Sequence, residues 1–159
     1  MASVGRSGRQ GGTERGHRMS ARTETAIWLA IKARIESLPL AYVKAWPGQT
    51  FEVPHAGGLP QPYLRVGRVT VAPVRQMIGP GKPHRRTGAL IITLVYPLGQ
   101  DVSAYDQIAG TIADHFRDGT QMTFGGVCVS VTDYPHAQEG YEDNGFWTVP
   151  VRIPWQCFA

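Results

Sequence analysis

The C-terminal segment 146–158 constrains the fold of this chain more than any other feature of its sequence. Apolar side chains occupy alternate positions along it, which is typical of a β-strand with one packed face. The apolar set is Trp147, Val149, Val151, Ile153, Trp155 and Cys157. Pro150 and Pro154 have the same parity, so their missing N–H groups fall on one side, which cannot carry a regular ladder. At about 3.3 Å per residue the segment spans roughly 43 Å. We therefore predict an edge strand, part of which extends beyond its own domain.

Two segments have the spacing of amphipathic helices. The first, residues 20–38, begins with a cap at Ser20 or Thr23 and is stopped by Pro39. The second begins at Asp101 or Ser103, with Asp106 as the capping-box partner of Ser103, and ends at Gly119. The residues predicted to be buried on these helices are Ile27, Ile31, Ile35 and Leu38 on the first, and Ile108, Ala109, Ile112 and Phe116 on the second.

The remaining apolar runs predict strands separated by turn-rich segments. Residues 89–96 are apolar on both faces, which indicates a central strand covered on both sides. Residues 55–62 and 133–145 have the composition of irregular loops, and the second of these is acidic. This order favours an α+β fold with a mainly antiparallel sheet and two flanking helices, in one domain over residues 19–159. The other predicted strands are 63–72, 122–124 and 127–132, with a short one near Phe51 and Val53.

Residues 1–18 differ in composition from the rest of the chain. They hold four arginines against one glutamate and are rich in glycine, so we expect a disordered basic leader. Met19 directly precedes a helix-start pattern, so the leader is either an upstream extension or part of the working protein. The chain has no apolar run of the length that a secretion signal or a membrane span needs, and we expect a soluble protein that is not exported. Cys128 and Cys157 fall in apolar patterns, where cysteines act as small buried hydrophobes.

A basic run, residues 79–86, is the first candidate site. It has the glycines of a phosphate-binding loop, but Pro83 stands where that motif requires serine or threonine. We interpret the run as an exposed, mobile loop, which either contacts a partner protein or DNA or is a solvated hairpin tip. Its candidate contact residues are Lys82, His84, Arg85 and Arg86.

The acidic loop is the second candidate site. His136 and its acidic neighbours could be considered as a metal or acid–base cluster, but a turn-rich loop has nothing to fix their geometry. No nucleophile or metalloprotease motif is present, so we expect neither catalysis nor a cofactor. The opposite charges of the two loops would favour head-to-tail association, unless the loops are simply solvated. The acidic candidates are Asp133, Glu139, Glu142 and Asp143, and Arg152 and Trp155 of the last strand complete the candidate interface.

Two helix aromatics lie off the predicted apolar stripes. Trp28 and Tyr105 are either interface anchors, since these residue types are enriched at protein contacts, or satellites of the core.

Residues 86–157 resemble the tail terminator proteins of long-tailed bacteriophages and related prophages. The resemblance rests on an apolar strand after Gly88-Ala89, a helix with an I-A-x-x-I-A-x-x-F stripe from Ile108, and the closing W-x-V-P-V-x-I strand from Trp147. It implies a virion protein without catalytic residues, which forms a hexameric ring on the end of the tail tube, stops tube polymerisation and offers its other face to the head-side connector. DNA would only pass through the channel of such a ring. Another neck or head-completion protein, and a nucleic-acid-binding module using the arginine-rich leader, are the alternatives.

Overall fold

A nine-stranded sheet with two helices on one face makes up most of residues 22–159, the part of the chain that this computed structural model describes. Its pairs are antiparallel except for β1 with β4, so the predicted α+β fold class and single domain are confirmed. The leader and the Ser20 cap lie outside the described residues. The elements are α1 (Thr23–Glu36), β1 (Val43–Ala45), β2 (His55–Ala56), β3 (Leu59–Pro60), β4 (Tyr63–Thr70), β5 (Val74–Arg75), β6 (His84–Pro97), α2 (Val102–His115), β7 (Gln121–Phe124), β8 (Val127–Val131), β9 (His136–Ala137), β10 (Tyr141–Asp143) and β11 (Phe146–Phe158).

The sheet is built around one long antiparallel pair, β6 with β11. The pairing runs without a break from Phe146 opposite Pro97 to Phe158 opposite Arg85. Strands β4 and β1 follow on the outer side of β6, and β8 and β7 follow on the outer side of β11. The central position predicted for residues 89–96 is therefore confirmed, although the strand is longer and begins at His84.

The predicted edge position of β11 is wrong, because the strand is paired on both sides. Its second side carries three short partners, namely β10 at residues 146–148, β9 at 151–152 and β8 at 155–157. Pro150 and Pro154 fall in the two gaps between these partners, where a missing N–H interrupts no ladder. The prolines do prevent a regular ladder on that side. They divide the side among short strands rather than leaving it open, and β11 stays within its own domain.

The two helices cover one face of the sheet, called here the helix face. The alternating apolar residues of β11 point into this core together with Leu90, Ile92 and Leu94 of β6. Helix α1 packs against β7 and β8, and α2 packs against β6, β11 and β9. Ile27, Ile31, Ile35 and Leu38 are buried as predicted. On α2, Ala109, Ile112 and Phe116 are buried, whereas Ile108 is partly buried at the margin of the core.

The opposite face, called here the open face, is covered at one end only. Phe51 packs on Tyr63 with ring centroids 4.8 Å apart, and Phe51, Val53 and Phe146 close a small second core over Val95. Strand β6 is therefore buried on both faces near its C-terminal end, as predicted. The strand expected near Phe51 and Val53 is absent from the described residues, because these side chains serve as a cover rather than as part of the sheet.

Two segments predicted as irregular loops are organised by two-residue hairpin turns. Gly57–Gly58 joins β2 to β3, and Asn144–Gly145 joins β10 to β11, with positive φ at all four residues. Turns with positive φ at both central residues match the twist of antiparallel strands, which is why glycine and asparagine occupy them. The acidic segment 133–145 thus contains β9 and β10, both paired to β11.

The helix ends differ from those predicted. Thr23 is the first helical residue of α1, Arg22 is the N-cap without a side-chain cap bond, and the helix ends at Glu36. Asp101 caps α2, since its carboxylate accepts hydrogen bonds from the Ser103 hydroxyl and from the Ser103 N–H, the latter at 3.0 Å, and these bonds lower the pKa of Asp101. The capping box of Ser103 with Asp106 does not form. No helix in residues 22–159 is long and apolar enough to cross a membrane.

Cys128 and Cys157 lie on opposite faces of the sheet. Cys157 is buried on the helix face, as predicted, and burial raises the pKa of its thiol. Cys128 is exposed, contrary to the prediction, because Val129 pairs with Cys157 and the neighbouring residue of a strand points to the other face.

The indole of Trp155 occupies the space that a side chain at position 88 would need. A Cβ at this position would lie 2.6 Å from Trp155 Cζ2 and also too close to the Val69 carbonyl. We predict that Gly88→Ala lowers the free energy of unfolding by about 1–3 kcal/mol, as overpacking of a core does. Gly67→Ala is the matched control, since its Cβ would meet nothing closer than Ile91 O at 3.8 Å. Urea unfolding of the two variants tests this, and equal losses of stability would contradict the packing.

The C-terminal ends of the two helices are joined through His115. Its Nε2 lies 2.9 Å from the Arg34 carbonyl, and the Arg34 guanidinium donates to the His115 carbonyl at 2.7 Å. Burial lowers the pKa of His115, and the nearby Arg34 charge lowers it further, against the hydrogen bond to the Arg34 carbonyl, which raises it.

Because the pKa of His115 is lower in the folded state than in the unfolded one, the unfolded state binds more protons in acid. We predict that the free energy of unfolding falls as the pH decreases below about 6.5. His115→Gln, whose amide can still donate to the Arg34 carbonyl, should weaken that dependence. Urea unfolding at pH 7.5 and 5.5 measures both slopes, and identical slopes for the two proteins would refute a role for this histidine.

Candidate functional site

Charge is divided along the described chain at about residue 100. Residues 22–100 contain ten lysines and arginines and three acidic residues, whereas residues 101–159 contain two arginines and eight acidic residues. The first half supplies β1, β4 and β6 on one side of the sheet, and the second half supplies β11, β8 and β7 on the other. Strands β1, β4, β5 and β6 are therefore basic, whereas β11, β8 and β7 contain no acidic residue. The acidic residues of the second half lie on or next to α2 and in the segment 118–143, which includes β10. The charge of +1 summed over residues 22–159 does not reveal this division.

Three of the candidate residues come together on the open face. Arg85, Arg152 and Asp133 line a shallow recess of about 310 Å³ between β4, β6 and β11. Arg85 Nε donates to the Gln156 side chain at 3.3 Å. The start of the acidic loop thus lies beside basic residues of its own chain. This arrangement gives the open face two exposed guanidinium groups that are available to a partner.

Two other candidates lie on the helix face, in a groove of about 270 Å³ between α1 and the paired ends of β4 and β6. Arg86 forms an ion pair with Glu24, and this pair together with backbone hydrogen bonding lowers the pKa of Glu24. Trp155 is 5% exposed and belongs to the core, and within the described residues its indole N–H has no hydrogen-bond partner. Trp155 is therefore placed to line this groove rather than to contact a partner from the surface.

The predicted basic loop is shorter than expected. His84, Arg85 and Arg86 belong to β6, because this end of the strand pairs with β11 and also with β5. His84 exchanges two backbone hydrogen bonds of 3.0 Å with Ala159. Lys82 alone of the four candidates lies in the exposed connection between β5 and β6.

The other three acidic candidates lie beyond β11, on the side away from β6. Glu139 lines a recess beside α2 with Asp106 and Trp147. Glu142 and Asp143 lie on β10, whose three residues are all exposed. Trp147 packs over Gly140, where a Cβ would lie 2.6 Å from its Cε2. This packing fixes the start of β10 and gives the acidic residues a defined position that a free loop would lack.

The two off-stripe aromatics have different environments. Tyr105 is 2% exposed and stacks against Trp147, so it is a core residue rather than an interface anchor. Trp28 is partly buried at the groove, where the Arg68 guanidinium lies 5.1 Å from its ring centre and Trp46 packs on its edge. Trp28 remains available to a partner at the groove mouth.

A group of exposed apolar residues around the start of β6 was not predicted from the sequence. Ile78 is 96% exposed in the connection between β5 and β6. Alternation along β4, together with the pairing of β5 and β11 to β6, places further exposed apolar residues on the open face, and only the register reveals this. They are Val69, Val71, Val74 and Phe158.

The described residues contain no group of three or more histidines, cysteines, aspartates and glutamates placed to hold a metal ion. His136 is exposed on β9, and no shared site brings it together with Glu139, Glu142 and Asp143. What the structure does bring together are surfaces of opposite charge with exposed apolar residues, which suit association with other proteins better than chemistry.

Comparison with known proteins agrees with this interpretation. A family model described as phage tail terminator protein matches residues 26–155. One solved structure superposes with a TM-score of 0.66 at 21% sequence identity, and the alignment covers 86% of this chain and 96% of that chain. At this identity the superposition shows the fold alone. No curated protein sequence matches the chain significantly.

Proposed function

The chain belongs to the phage tail terminator family, and we propose on that premise that it forms a ring on the end of the tail tube, stops further polymerisation of the tube and provides the interface for head attachment. The match over residues 26–155 is the observation that carries this proposal, because it spans both helices and most of the sheet. The proposed ring is a hexamer, which is the number that the resemblance implies.

The charge division supports a ring. In a closed ring each subunit shows different surfaces to its two neighbours, and surfaces of opposite charge favour one polarity of contact. Strand β4 and the start of β6 carry arginines, whereas β10 carries Glu142 and Asp143, so the two ends of the strand order β4-β6-β11-β10 differ in charge. We propose that Lys82, Arg85 and Arg86 act on the basic side, and Glu139, Glu142 and Asp143 on the acidic side. Arg152 and Asp133 share the open-face recess with Arg85, and we propose that they act at that recess.

The proposed partners are the tail tube protein, a head-side connector or stopper protein, and further copies of this chain. The family is a structural one of the virion tail, and we propose neither a catalytic role nor a cofactor. Assembly would take place in the host cytoplasm. DNA would meet the ring only in passage through its channel, where weak contacts with exposed arginines are compatible with movement and tight ones are not.

The domain division is part of the same proposal. Residues 19–159 would form the terminator domain, which contains the whole of the matched region 26–155, and residues 1–18 would be a basic leader.

Deleting the gene from a phage that carries it distinguishes this role from that of another neck protein. We predict that lysates of the deletion contain tails of abnormal and variable length, because nothing halts the tube, and that the wild-type gene supplied in trans restores a uniform length. Electron microscopy measures the distribution. Tails of normal length that remain unattached to heads would contradict the terminator role and favour a head-side protein.

A further inference from the structure

One edge of the sheet is left open where β1 ends. Strand β1 pairs with residues 63–65 of β4 only, so residues 66–70 have no partner on their outer side within the described chain. Arg68, Val69 and Thr70 are exposed there. An exposed edge of this kind offers unpaired backbone N–H and C=O groups to another strand.

The ladder shows which residues direct their backbone outward. Val71 N donates to Thr87 O at 3.0 Å, so Val71 faces β6, and alternation along an antiparallel pair makes Val69 and Gly67 face β6 as well. Arg68 and Thr70 therefore direct their N–H and C=O groups away from the sheet. Arg68 points its side chain to the helix face, and Val69 points its side chain to the open face.

Strand β10 leaves a second open edge, on the acidic side. The even-numbered residues of β11 face away from β6, as Pro150 O and Pro154 O show by accepting bonds from Gln138 and Thr132. Tyr141, which pairs with Thr148, therefore faces β11, and Glu142 directs its backbone outward. Tyr141 is 49% exposed on the open face, and the side chain of Glu142 shares the helix face with Trp147.

We propose that β10 of one copy of this chain pairs antiparallel with the free edge of β4 of the next copy, with Glu142 opposite Arg68 and Tyr141 opposite Val69. This inference rests on the self-association proposed above and names the surfaces that carry it. It continues the sheet from one subunit into the next, because β10 runs antiparallel to β4 when strand directions are followed through β6 and β11.

The side chains fit this register on both faces. On the helix face Glu142 meets Arg68, an exposed arginine that has no carboxylate partner within the described residues. On the open face Tyr141 covers the exposed Val69, a contact of the aromatic and β-branched kind that stabilises paired strands. A shift of the register by one residue would place the outward backbone groups of Arg68 opposite a residue whose backbone groups point into its own sheet. It would also move Glu142 and Tyr141 to the faces opposite those of Arg68 and Val69.

The two edges are different surfaces of the subunit, so the contact is head-to-tail and can repeat around a ring. The short β10 edge would set register and polarity, and the flanking surfaces would supply most of the buried area that a stable interface needs. The groove beside Trp28 and the exposed Val71 flank the β4 edge.

A disulfide across the proposed contact tests it. In a Cys128→Ser background, Val69→Cys with Tyr141→Cys should give, on oxidation, a ladder of covalent oligomers that collapses on reduction. Within one subunit these positions are three strand spacings apart across the sheet, about 14 Å, and six residues apart along it, about 20 Å, so an internal disulfide cannot form. The control is Val69→Cys with Glu142→Cys, whose side chains would lie on opposite faces and should cross-link little.

Light scattering on the uncrosslinked protein separates the outcomes. Oligomers in solution with no more cross-linking in the test pair than in the control would overturn this contact and leave the proposed ring to another surface. A monomer at every concentration and with tube protein present, without cross-linking, would overturn both proposals. Efficient cross-linking of the test pair supports the contact.

Charge exchange gives an independent readout. Glu142→Arg should weaken self-association by roughly fivefold or more, because like charges then face each other across the strands. Adding Arg68→Glu should restore association to near the wild-type level. Circular dichroism of each variant checks the fold. Failure of the double variant to regain association, with its fold intact, would show that these two residues do not meet.

Discussion

The unbroken pairing of β6 with β11 is the interaction on which the rest of the structure depends. These two strands supply much of the apolar floor on which both helices pack, and every other strand of the main sheet attaches to one of them directly or through one neighbour. The pair also separates the basic strand β4 from the acidic strand β10. A change that shifted its register by one residue would move the apolar residues of β11 out of the core. The packing of Trp155 over Gly88 opposes such a shift, since Gly88 is the only glycine of β6 and a Cβ there would collide with the indole.

Most of the elements could be predicted from periodicity, because the spacing of apolar residues along each element shows which of its side chains are buried. The stripe of α2 and the alternation of β11 are examples. The neighbours of β11 could not be predicted in the same way. Pro150 and Pro154 show correctly that one side cannot carry a regular ladder, but the absence of an N–H does not reveal whether that side is empty or filled by short strands. The Asn144–Gly145 pair carried the missing signal, since this dipeptide between strands is typical of a hairpin turn.

The candidate interface was only partly predictable for a related reason. Single residues such as Lys82 and Glu142 stand out in the sequence as charged and exposed. Which residues share a surface, however, depends on the register of the strands. Val69, Val74 and Phe158 fall in different segments of the sequence, and strand pairing alone places them on one face. The near neutrality of residues 22–159 likewise hides the difference in charge between β4 and β10, which the strand order places on opposite sides of the β6–β11 pair.

The function proposed for this protein is to halt the growth of a tail tube. The most direct test adds the purified protein to tube protein that is polymerising in vitro and measures tube lengths by electron microscopy over time. If the protein is a terminator, tubes stop growing when it is present and carry additional density at one end only. Tubes that continue to lengthen at the rate seen without the protein, with both ends alike, would contradict it.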